Sequence, residues 1–255
     1  KLLFMTLTGH FTVQQSTYPE QVRQTLYPQY IRNADVIGFD IYPIYGSGYA
    51  AHLDWVGKGV SQLRDLAGQK PVYAWIETSK GSRWMTYEKQ PDVLPMHTRN
   101  EVWQAITSGA TAIGYFPHAW APSFTEFAPT TEMQEELKRL NTQISRLAPA
   151  ILAPPFNGTI SMELGAGLNC NLKATLYGND LYLFTVNMDL GEGAKDARQF
   201  DPIYPRAGKA TISIEGLKAG GTIEVVDENR TIKAEKGKFA DDFAPLAEHI
   251  YRIKL

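Results

Sequence analysis

The sequence predicts an α/β fold: (β/α) units of the TIM-barrel type, four of them and so half of a barrel, followed by an antiparallel β-sandwich. Two observations predict it. Short apolar runs of strand length recur in the first part of the chain, and their polar ends lie 30, 37 and 41 residues apart, which is the spacing of a βα repeat. After the Ala-Pro-Pro sequence at residues 153–155, the apolar pattern changes from a helical period to strict alternation, which is typical of antiparallel sheets.

Four strands are predicted from these apolar runs. The first ends near His10, the second at Asp40, the third at Glu77 and the fourth at His118. Their predicted ranges are residues 2–8, 36–41, 72–76 and 112–116.

Three helices between and after the strands are predicted from amphipathic stripes. Apolar residues three or four apart cover 53–66 and stop before Gly68, a typical C-cap. Thr98 and Glu101 have the spacing of a capping box, as do Thr131 and Gln134, so we expect helices to begin at those two threonines.

The change of period divides the chain into two predicted domains, residues 1–152 and 153–255. In the second, two alternating runs at 172–177 and 181–187 flank Asn179 and Asp180, which predicts a hairpin. Further alternating runs at 210–214, 222–226 and 249–253 complete the pattern of a sandwich.

Composition excludes several classes of function. The chain has 25 basic and 27 acidic residues among 255, a formal net charge of −2, which gives no electrostatic footprint for nucleic acid or an anionic membrane. Cys170 is the only cysteine, so neither an intrachain disulfide nor a multi-cysteine metal site is expected. No apolar run approaches the ~20 residues of a transmembrane helix. The chain begins at Lys1, and we expect an upstream segment to have been removed; a secreted or periplasmic location is predicted, with a cytoplasmic one as the alternative.

The ends of the predicted strands hold the candidate functional residues. In parallel sheets, functional groups gather beyond the carboxyl ends of the strands, and His10, Asp40, Glu77 and His118 all follow that rule. A doubly wound sheet would favour a glycine-rich phosphate loop, and no such motif occurs in the sequence, so a barrel is favoured.

Four segments resemble the large clan of retaining glycoside hydrolases, which combine a (β/α)8 barrel with a small β-sandwich. They are ADVIGFDIYPIYG at 34–46, KPVYAWIET at 70–78, SGATAIGYFPHAW at 108–120 and DDFAPLAEHIYRIKL at 241–255. The resemblance implies a β-linked poly- or oligosaccharide substrate, no cofactor and no metal. It implies that Glu77, at the position of the seventh barrel strand, is the catalytic nucleophile, and that 108–120 holds the eighth strand with an aromatic residue lining a sugar subsite.

The chain departs from the family at the acid/base residue. That glutamate follows an asparagine at the end of the fourth strand, and no Asn-Glu pair occurs at the end of a predicted strand here; Asn100-Glu101 falls in a predicted helix. Counting back from 112–116 makes 2–8 the fifth strand, so the first four units are missing. Three explanations for the missing units remain open: they lie on another polypeptide or have been cut off, two copies of the chain complete one barrel, or the sheet stays open. The unpaired strand edges of an open sheet favour association, so a homodimer or a second chain is predicted.

A retaining mechanism requires two carboxyl groups about 5 to 5.5 Å apart. Asp40, on the neighbouring strand, is the second catalytic candidate, either as acid/base or, as we prefer, by orienting Glu77 or accepting a hydrogen bond from a sugar hydroxyl. Aspartate before Tyr42 and Pro43 is also a common turn residue. Trp75 either contacts sugar or fills the core between sheet and helix.

Further residues near the strand ends are predicted to bind the substrate, because aromatic faces stack on sugar C-H groups and polar edges form hydrogen bonds. These residues are His10, Tyr42, Tyr45, Trp84, Tyr115, His118 and Trp120.

Two other functions remain open. His10 and His118 with Asp40 and Glu77 make a mixed set for a metal-dependent hydrolase, although no HExxH or His-x-His spacing occurs. Alternatively, the barrel half is degenerate and the protein binds carbohydrate, or supports a partner, without catalysis.

Overall fold

The computed structural model describes residues 1–12 and 19–254. Its strands are β1 (Phe4–Thr8), β2 (Val36–Asp40), β3 (Val72–Glu77), β4 (Ala112–Phe116), β5 (Ile160–Leu164), β6 (Cys170–Tyr177), β7 (Asp180–Asn187), β8 (Gly208–Ile214), β9 (Thr222–Val225), β10 (Arg230–Lys233), β11 (Lys238–Phe243) and β12 (Glu248–Lys254). Its helices are α1 (Glu20–Asn33), α2 (Trp55–Ala67), α3 (Pro95–Thr107) and α4 (Thr131–Ile151).

The first four strands form one parallel sheet in the order β1-β2-β3-β4, which confirms the predicted sheet. Ile37 pairs with Val72 and Ala74 with Ile113, so each strand lies beside its sequence neighbour, as expected where every connection crosses over one face. Closure of such strands into half of a barrel stays a prediction.

One face of the parallel sheet is buried under α2 and α3. Ile37, Phe39 and Ile76 on the sheet are fully buried, as are Val60 on α2 and Val102 on α3. The apolar stripe of α2 therefore covers the sheet as its spacing predicts, and Gly68 ends the helix at a φ of 64°. Each fully buried aliphatic side chain contributes roughly 1.5–3 kcal/mol to this packing.

The opposite face carries large rings that lie over glycines. A Cβ on Gly38 would lie 2.2 Å from the Tyr73 ring, and one on Gly114 would lie 2.5 Å from the Trp75 ring. Both rings also hydrogen-bond to Thr6, at 2.7 Å from the Tyr73 hydroxyl and 3.3 Å from the indole nitrogen. Trp75 therefore does not fill the core between sheet and helix.

Both predicted capping boxes are wrong. The helix α3 begins at Pro95, a residue that suits a first helical position, so Thr98 and Glu101 lie inside it. At α4 the hydroxyl of Thr130 accepts the N–H of Met133 at 3.3 Å, and the Gln134 side chain donates to Pro129 O. The cap is thus one residue earlier than the spacing predicts.

The later strands form two antiparallel sheets, in the orders β10-β9-β12-β7-β6 and β11-β8-β5. The predicted hairpin is present as β6 and β7, with Tyr177 opposite Asp180 and Gly178 at a φ of 62°. Leu183 and Tyr251 of the first sheet pack in one core with Ile212 of the second. The sandwich arrangement as such stays a prediction; β5, β10 and β11 are strands that the sequence pattern did not predict.

Contacts divide the chain into two compact units. The first contains residues 1–137 and 194–203, and the second contains 138–193 and 204–255. This division falls within α4; the predicted domain boundary after residue 152 stays a prediction. In the described part of the chain, every helix is too short or too polar to cross a membrane.

Candidate functional site

Glu77, the predicted nucleophile, ends β3 but is closed off from solvent. Its side chain is 0% exposed. One carboxylate oxygen accepts the backbone N–H of Ile44 at 3.0 Å, and the other accepts that of Tyr45 at 2.5 Å. The carboxyl group therefore anchors the turn that follows β2, and no path to a sugar is open in this arrangement.

A second acid, Glu101 on α3, lies beside Glu77. It too is 0% exposed, and within the described residues no group donates a hydrogen bond to either of its oxygens. Two adjacent carboxyl groups without a cation are stable only when they share a proton. The raised pKa of Glu101 favours its neutral form, whereas the two N–H groups that Glu77 accepts favour the ionised form of Glu77.

Burial raises the pKa of both acids. For Glu77 the hydrogen bonds from Glu101, Ile44 and Tyr45 offset part of that rise. For Glu101 the negative charge of Glu77 adds to the effect of burial and lifts the pKa well above its ordinary value. A hydrogen bond to the backbone also joins α3 to the end of β3: the Thr98 hydroxyl donates to the Glu77 carbonyl at 2.8 Å.

The turn that Glu77 anchors is also held from its far side by segment 194–203, which belongs to the same unit. The N–H of Phe200 donates to Gly48 O at 2.7 Å, and the Gln199 side chain donates to Ser47 O at 2.9 Å. Gly48 has a φ of 68°, and a Cβ there would lie 2.7 Å from the Phe200 ring. This close approach requires glycine.

Asp40 does not stand next to Glu77. The register pairs Asp40 with Trp75, two residues before Glu77, an offset of about 6.6 Å along the strand. Burial raises the pKa of Asp40 to about 6, offset in part by its own backbone N–H. A half-buried acid of this kind could hold a proton near neutral pH, but the register gives no support to a retaining pair with Glu77.

Aromatic side chains gather at the carboxyl ends of β2 and β4. The Phe116 ring lies 4.9 Å from the Tyr42 ring, 5.3 Å from Tyr45 and 5.3 Å from His118. Tyr45 is buried, and its hydroxyl finds no hydrogen-bond partner in the described part of the chain. We call this group and its continuation the aromatic rim; its members are Tyr42, Tyr45, Phe116, His118, Trp120 and Phe124.

The exposed end of the aromatic rim lies in the loop after β4. Phe124 is 55% exposed and Trp120 43% exposed, and their rings are 5.0 Å apart. His118 stacks on Phe124 with ring centroids 6.2 Å apart. These faces are open to a ligand.

Tyr115 lies on the other side of the sheet from its predicted position. The register pairs it with the fully buried Ile76, whereas Phe116 pairs with Glu77, and paired residues share a face. Burial and the charge of Glu136 raise the Tyr115 pKa to about 12. Sequence reasoning thus missed Phe116, which strand alternation counted from Glu77 would have found.

Arg83 joins the loops after β3 and β4. Its guanidinium carbon lies 4.6 Å from the Trp84 ring and 5.2 Å from the Trp120 ring, both within cation-π distance. Trp84 is 72% exposed. We call Arg83, Trp84 and Trp120 the arginine platform.

The loop that carries Arg83 and Trp84 rests on a buried amide. Gln90 accepts the N–H groups of Gly81 and Ser82, both at 2.9 Å, and donates to Ser82 O at 2.7 Å and Met85 O at 2.9 Å. Gly81 also accepts the N–H of Trp120 at 2.6 Å, which fixes the two loops to each other.

The metal-ligand set predicted from sequence finds no support in the described residues. Within them, no three His, Cys, Asp or Glu side chains are arranged to hold a metal ion. The side chain of His10 lies outside the described part of the chain, so its predicted role stays a prediction. His118 packs among aromatic rings, with its Nδ1 buried and unpartnered within the described residues.

Comparison with known proteins places the fold and no more. No family model and no curated protein matches the chain. An α-amylase from Geobacillus thermoleovorans, solved with acarbose, matches with a TM-score of 0.54 at 11% identity, over 89% of this chain and 51% of that one. A GH30 endoxylanase from Clostridium papyrosolvens C71 matches with a TM-score of 0.42 at 12% identity, over 88% and 50%. The bifunctional glucanase-xylanase CelM2 from a metagenome library matches with a TM-score of 0.47 at 8% identity, over 94% and 50%.

The fold is therefore glycoside hydrolase-like, on the strength of the amylase match. The chain spans about half the length of these solved structures. Identity this low carries no catalytic residue, substrate or partner from them to this chain.

Proposed function

We propose that this protein binds carbohydrate along the exposed part of the aromatic rim and the arginine platform. The observation that carries the proposal is the exposure of Trp84, Trp120 and Phe124 beside one another beyond the carboxyl ends of a parallel sheet. Such ends are where ligands bind in this architecture, and flat aromatic faces with polar neighbours suit sugar rings.

Affinity electrophoresis of the purified protein through gels containing soluble polysaccharides tests the proposal. We expect wild-type protein to be retarded by at least one polysaccharide and Trp120→Ala to lose most of that retardation. Tyr204→Ala serves as the matched control, because Tyr204 is 76% exposed in the other unit and lies outside the proposed surface. Unretarded wild-type protein in every gel would refute carbohydrate binding.

A second candidate function is the cleavage of β-linked poly- or oligosaccharide by a retaining mechanism with Glu77 as nucleophile. Its support is the position of Glu77 at the end of β3 in a glycoside hydrolase-like sheet. For this reaction, the turn at Ile44 and Tyr45 must move away from the Glu77 carboxylate. An acid/base residue is also required; the family's acid/base glutamate is not found at a strand end of this chain, and Asp40 is the remaining candidate. The buried state of Glu77 makes binding without cleavage the better-supported function.

Turnover of aryl β-glycosides and polysaccharides by Glu77→Gln and Glu101→Gln distinguishes the two functions. A nucleophile at Glu77 predicts that Glu77→Gln loses turnover by orders of magnitude while it keeps polysaccharide retardation. A structural carboxyl pair predicts no turnover in wild type and unchanged retardation in both variants.

We also propose that a second copy or another chain pairs with the open edge at β1. Leu2 and Phe4 there are 69% and 62% exposed, and within the described residues β1 pairs only with β2. Exposed apolar edge strands favour association. Size-exclusion chromatography with light scattering should show a dimer or larger species, and a monomer at dilute and at high concentration would contradict this.

A further inference from the structure

We propose that the arginine platform is a subsite for an acidic sugar, in which Arg83 binds the carboxylate of a uronic acid residue whose ring stacks on Trp84 or Trp120. The inference rests on the proposed carbohydrate binding and names the class of sugar. It depends on three features: the free hydrogen-bonding capacity of Arg83, the rigidity of the loop that presents it, and its position between two exposed rings.

Within the part of the chain that the structure describes, no hydrogen bond or ion pair engages the N–H groups of the Arg83 guanidinium. Several other arginines, among them Arg206, Arg230 and Arg252, each donate to a carboxylate. Among the described residues, Arg83 makes cation-π contacts with Trp84 and Trp120, and its charge acts on the Tyr45 hydroxyl. Cation-π contacts use the faces of the rings, so the donors of the fork remain available to a ligand.

The loop that presents Arg83 is held in place by buried hydrogen bonds and by a close backbone approach. Gln90 is 5% exposed and makes four hydrogen bonds to the backbone of residues 81–85. Gly81 has a φ of 121°, and a Cβ there would lie 2.6 Å from Ala119 Cβ and 2.8 Å from Ala121 O. Arg83 and Trp84 are therefore presented on a fixed base, which reduces the entropy lost when a ligand binds.

The chemistry of the platform favours a carboxylate on a sugar ring over other anions. A guanidinium binds a planar carboxylate through two parallel N–H bonds. In a uronic acid the carboxylate projects from the edge of the ring, so a sugar that stacks on the part of either indole that Arg83 leaves uncovered can place its carboxylate beside the guanidinium. The guanidinium carbon lies 4.6 and 5.2 Å from the two ring centres.

The test is affinity electrophoresis of the intact chain against polyuronates and their neutral counterparts. The anionic probes are polygalacturonate, alginate and glucuronoxylan; the neutral ones are fully methyl-esterified polygalacturonate and unsubstituted xylan. The variants are Arg83→Met, which keeps the aliphatic stem, Arg83→Lys, which keeps the charge without the fork, and Arg32→Met as a control at another exposed arginine.

We expect wild-type protein to bind at least one polyuronate more tightly than its neutral counterpart. Arg83→Met should weaken that binding roughly 10- to 100-fold, Arg83→Lys should recover only part of it, and Arg32→Met should not change it. The ratio of polyuronate affinity to neutral-polysaccharide affinity should fall in Arg83→Met, because the two tryptophans remain while the carboxylate loses its partner.

Several outcomes would overturn the inference. Equal binding of anionic and neutral polysaccharide, or an unchanged Arg83→Met, removes the acidic subsite but leaves carbohydrate binding intact. Tighter binding of a sulfated galactan, or of poly-glutamate, than of every polyuronate assigns the platform to sulfate or to an acidic peptide instead. Absence of retardation by any polysaccharide defeats this inference and the proposed function together.

Discussion

Two buried acid clusters, one in each unit, are stabilised in opposite ways. In the second unit, Asp241 accepts both terminal nitrogens of Arg230, at 2.8 and 2.7 Å, and the Tyr251 hydroxyl at 2.9 Å. In the first unit, Glu77 and Glu101 are both fully buried, and among the described residues no cation lowers the pKa of either. One cluster is neutralised by a cation, and the other is a pair of carboxyl groups whose pKa burial raises.

The pKa directions express the same contrast. Burial alone would raise the pKa of Asp241, but the hydrogen bonds from Arg230 and Tyr251 bring it below its ordinary value. Burial raises the pKa of Glu77 and Glu101, and no cation opposes it. An acid in a cleft with a raised pKa is often a catalytic group; here the closed surroundings and the two accepted backbone N–H groups favour a structural role for Glu77.

The largest effect is expected from Glu77→Leu. It leaves the N–H groups of Ile44 and Tyr45 buried without an acceptor, which should lower the free energy of unfolding by about 2–5 kcal/mol. Urea denaturation measures the loss, and hydrogen exchange should rise first in residues 41–49. A change within 0.5 kcal/mol would mean that the turn does not depend on the carboxylate.

Arg230→Met should destabilise the second unit by roughly 2–3 kcal/mol, because Asp241 loses its cation while it stays buried. The expected loss of stability is smaller than for a fully buried ion pair, because 35% of the Arg230 side chain is exposed to solvent. Arg252→Met is the control, since its partner Asp180 lies at a different place in the sheet. If Arg230→Met and Arg252→Met lower the free energy of unfolding equally, the Asp241 cluster does not stabilise the unit more than an ordinary ion pair.

Glu101→Gln should stabilise the protein above pH 5. The raised pKa of Glu101 means that its stabilising contribution is full below the unfolded pKa, near 4.5, and is lost as pH rises toward the folded value. Glutamine donates the same hydrogen bond to Glu77 without needing a proton. The advantage of the variant should grow by up to about 1.4 kcal/mol per pH unit, and thermal unfolding from pH 4.5 to 8 measures it. A constant difference across that range would contradict proton sharing.

The smallest effect is expected from acidification of the second unit. A lowered Asp241 pKa gives stability that is present above the unfolded pKa and is lost as pH falls through the folded value. Hydrogen-exchange protection factors of residues 238–252 should therefore fall below pH 4, while those of residues 95–107 hold or rise. Parallel losses in both segments would erase the contrast between the clusters.

The regular elements of the first unit could be predicted because their signals are local. Alternation and helical stripes found β1 to β4 within a few residues and placed α2 up to Gly68. The predicted start of α4 at Thr131 is confirmed, but the predicted start of α3 is wrong, because tertiary contacts compete with the local pattern. Thr98 and Glu101 have capping-box spacing, yet both lie inside α3 and beside Glu77. Predicted roles of Asp40, Tyr42, Trp84 and His118 as site residues stay predictions.

The sequence by itself determined the order of β1 to β4, the parallel sheet and the position of Glu77 at a strand end, because each follows from period and turn chemistry over a few residues. Only the tertiary structure decided that Glu77 is buried, since its cover comes from a turn 32 residues earlier and a helix residue, Glu101, 24 residues later. It also decided that Arg83 lies between Trp84 and Trp120. Contacts between distant loops depend on how the chain packs, and no local pattern encodes them.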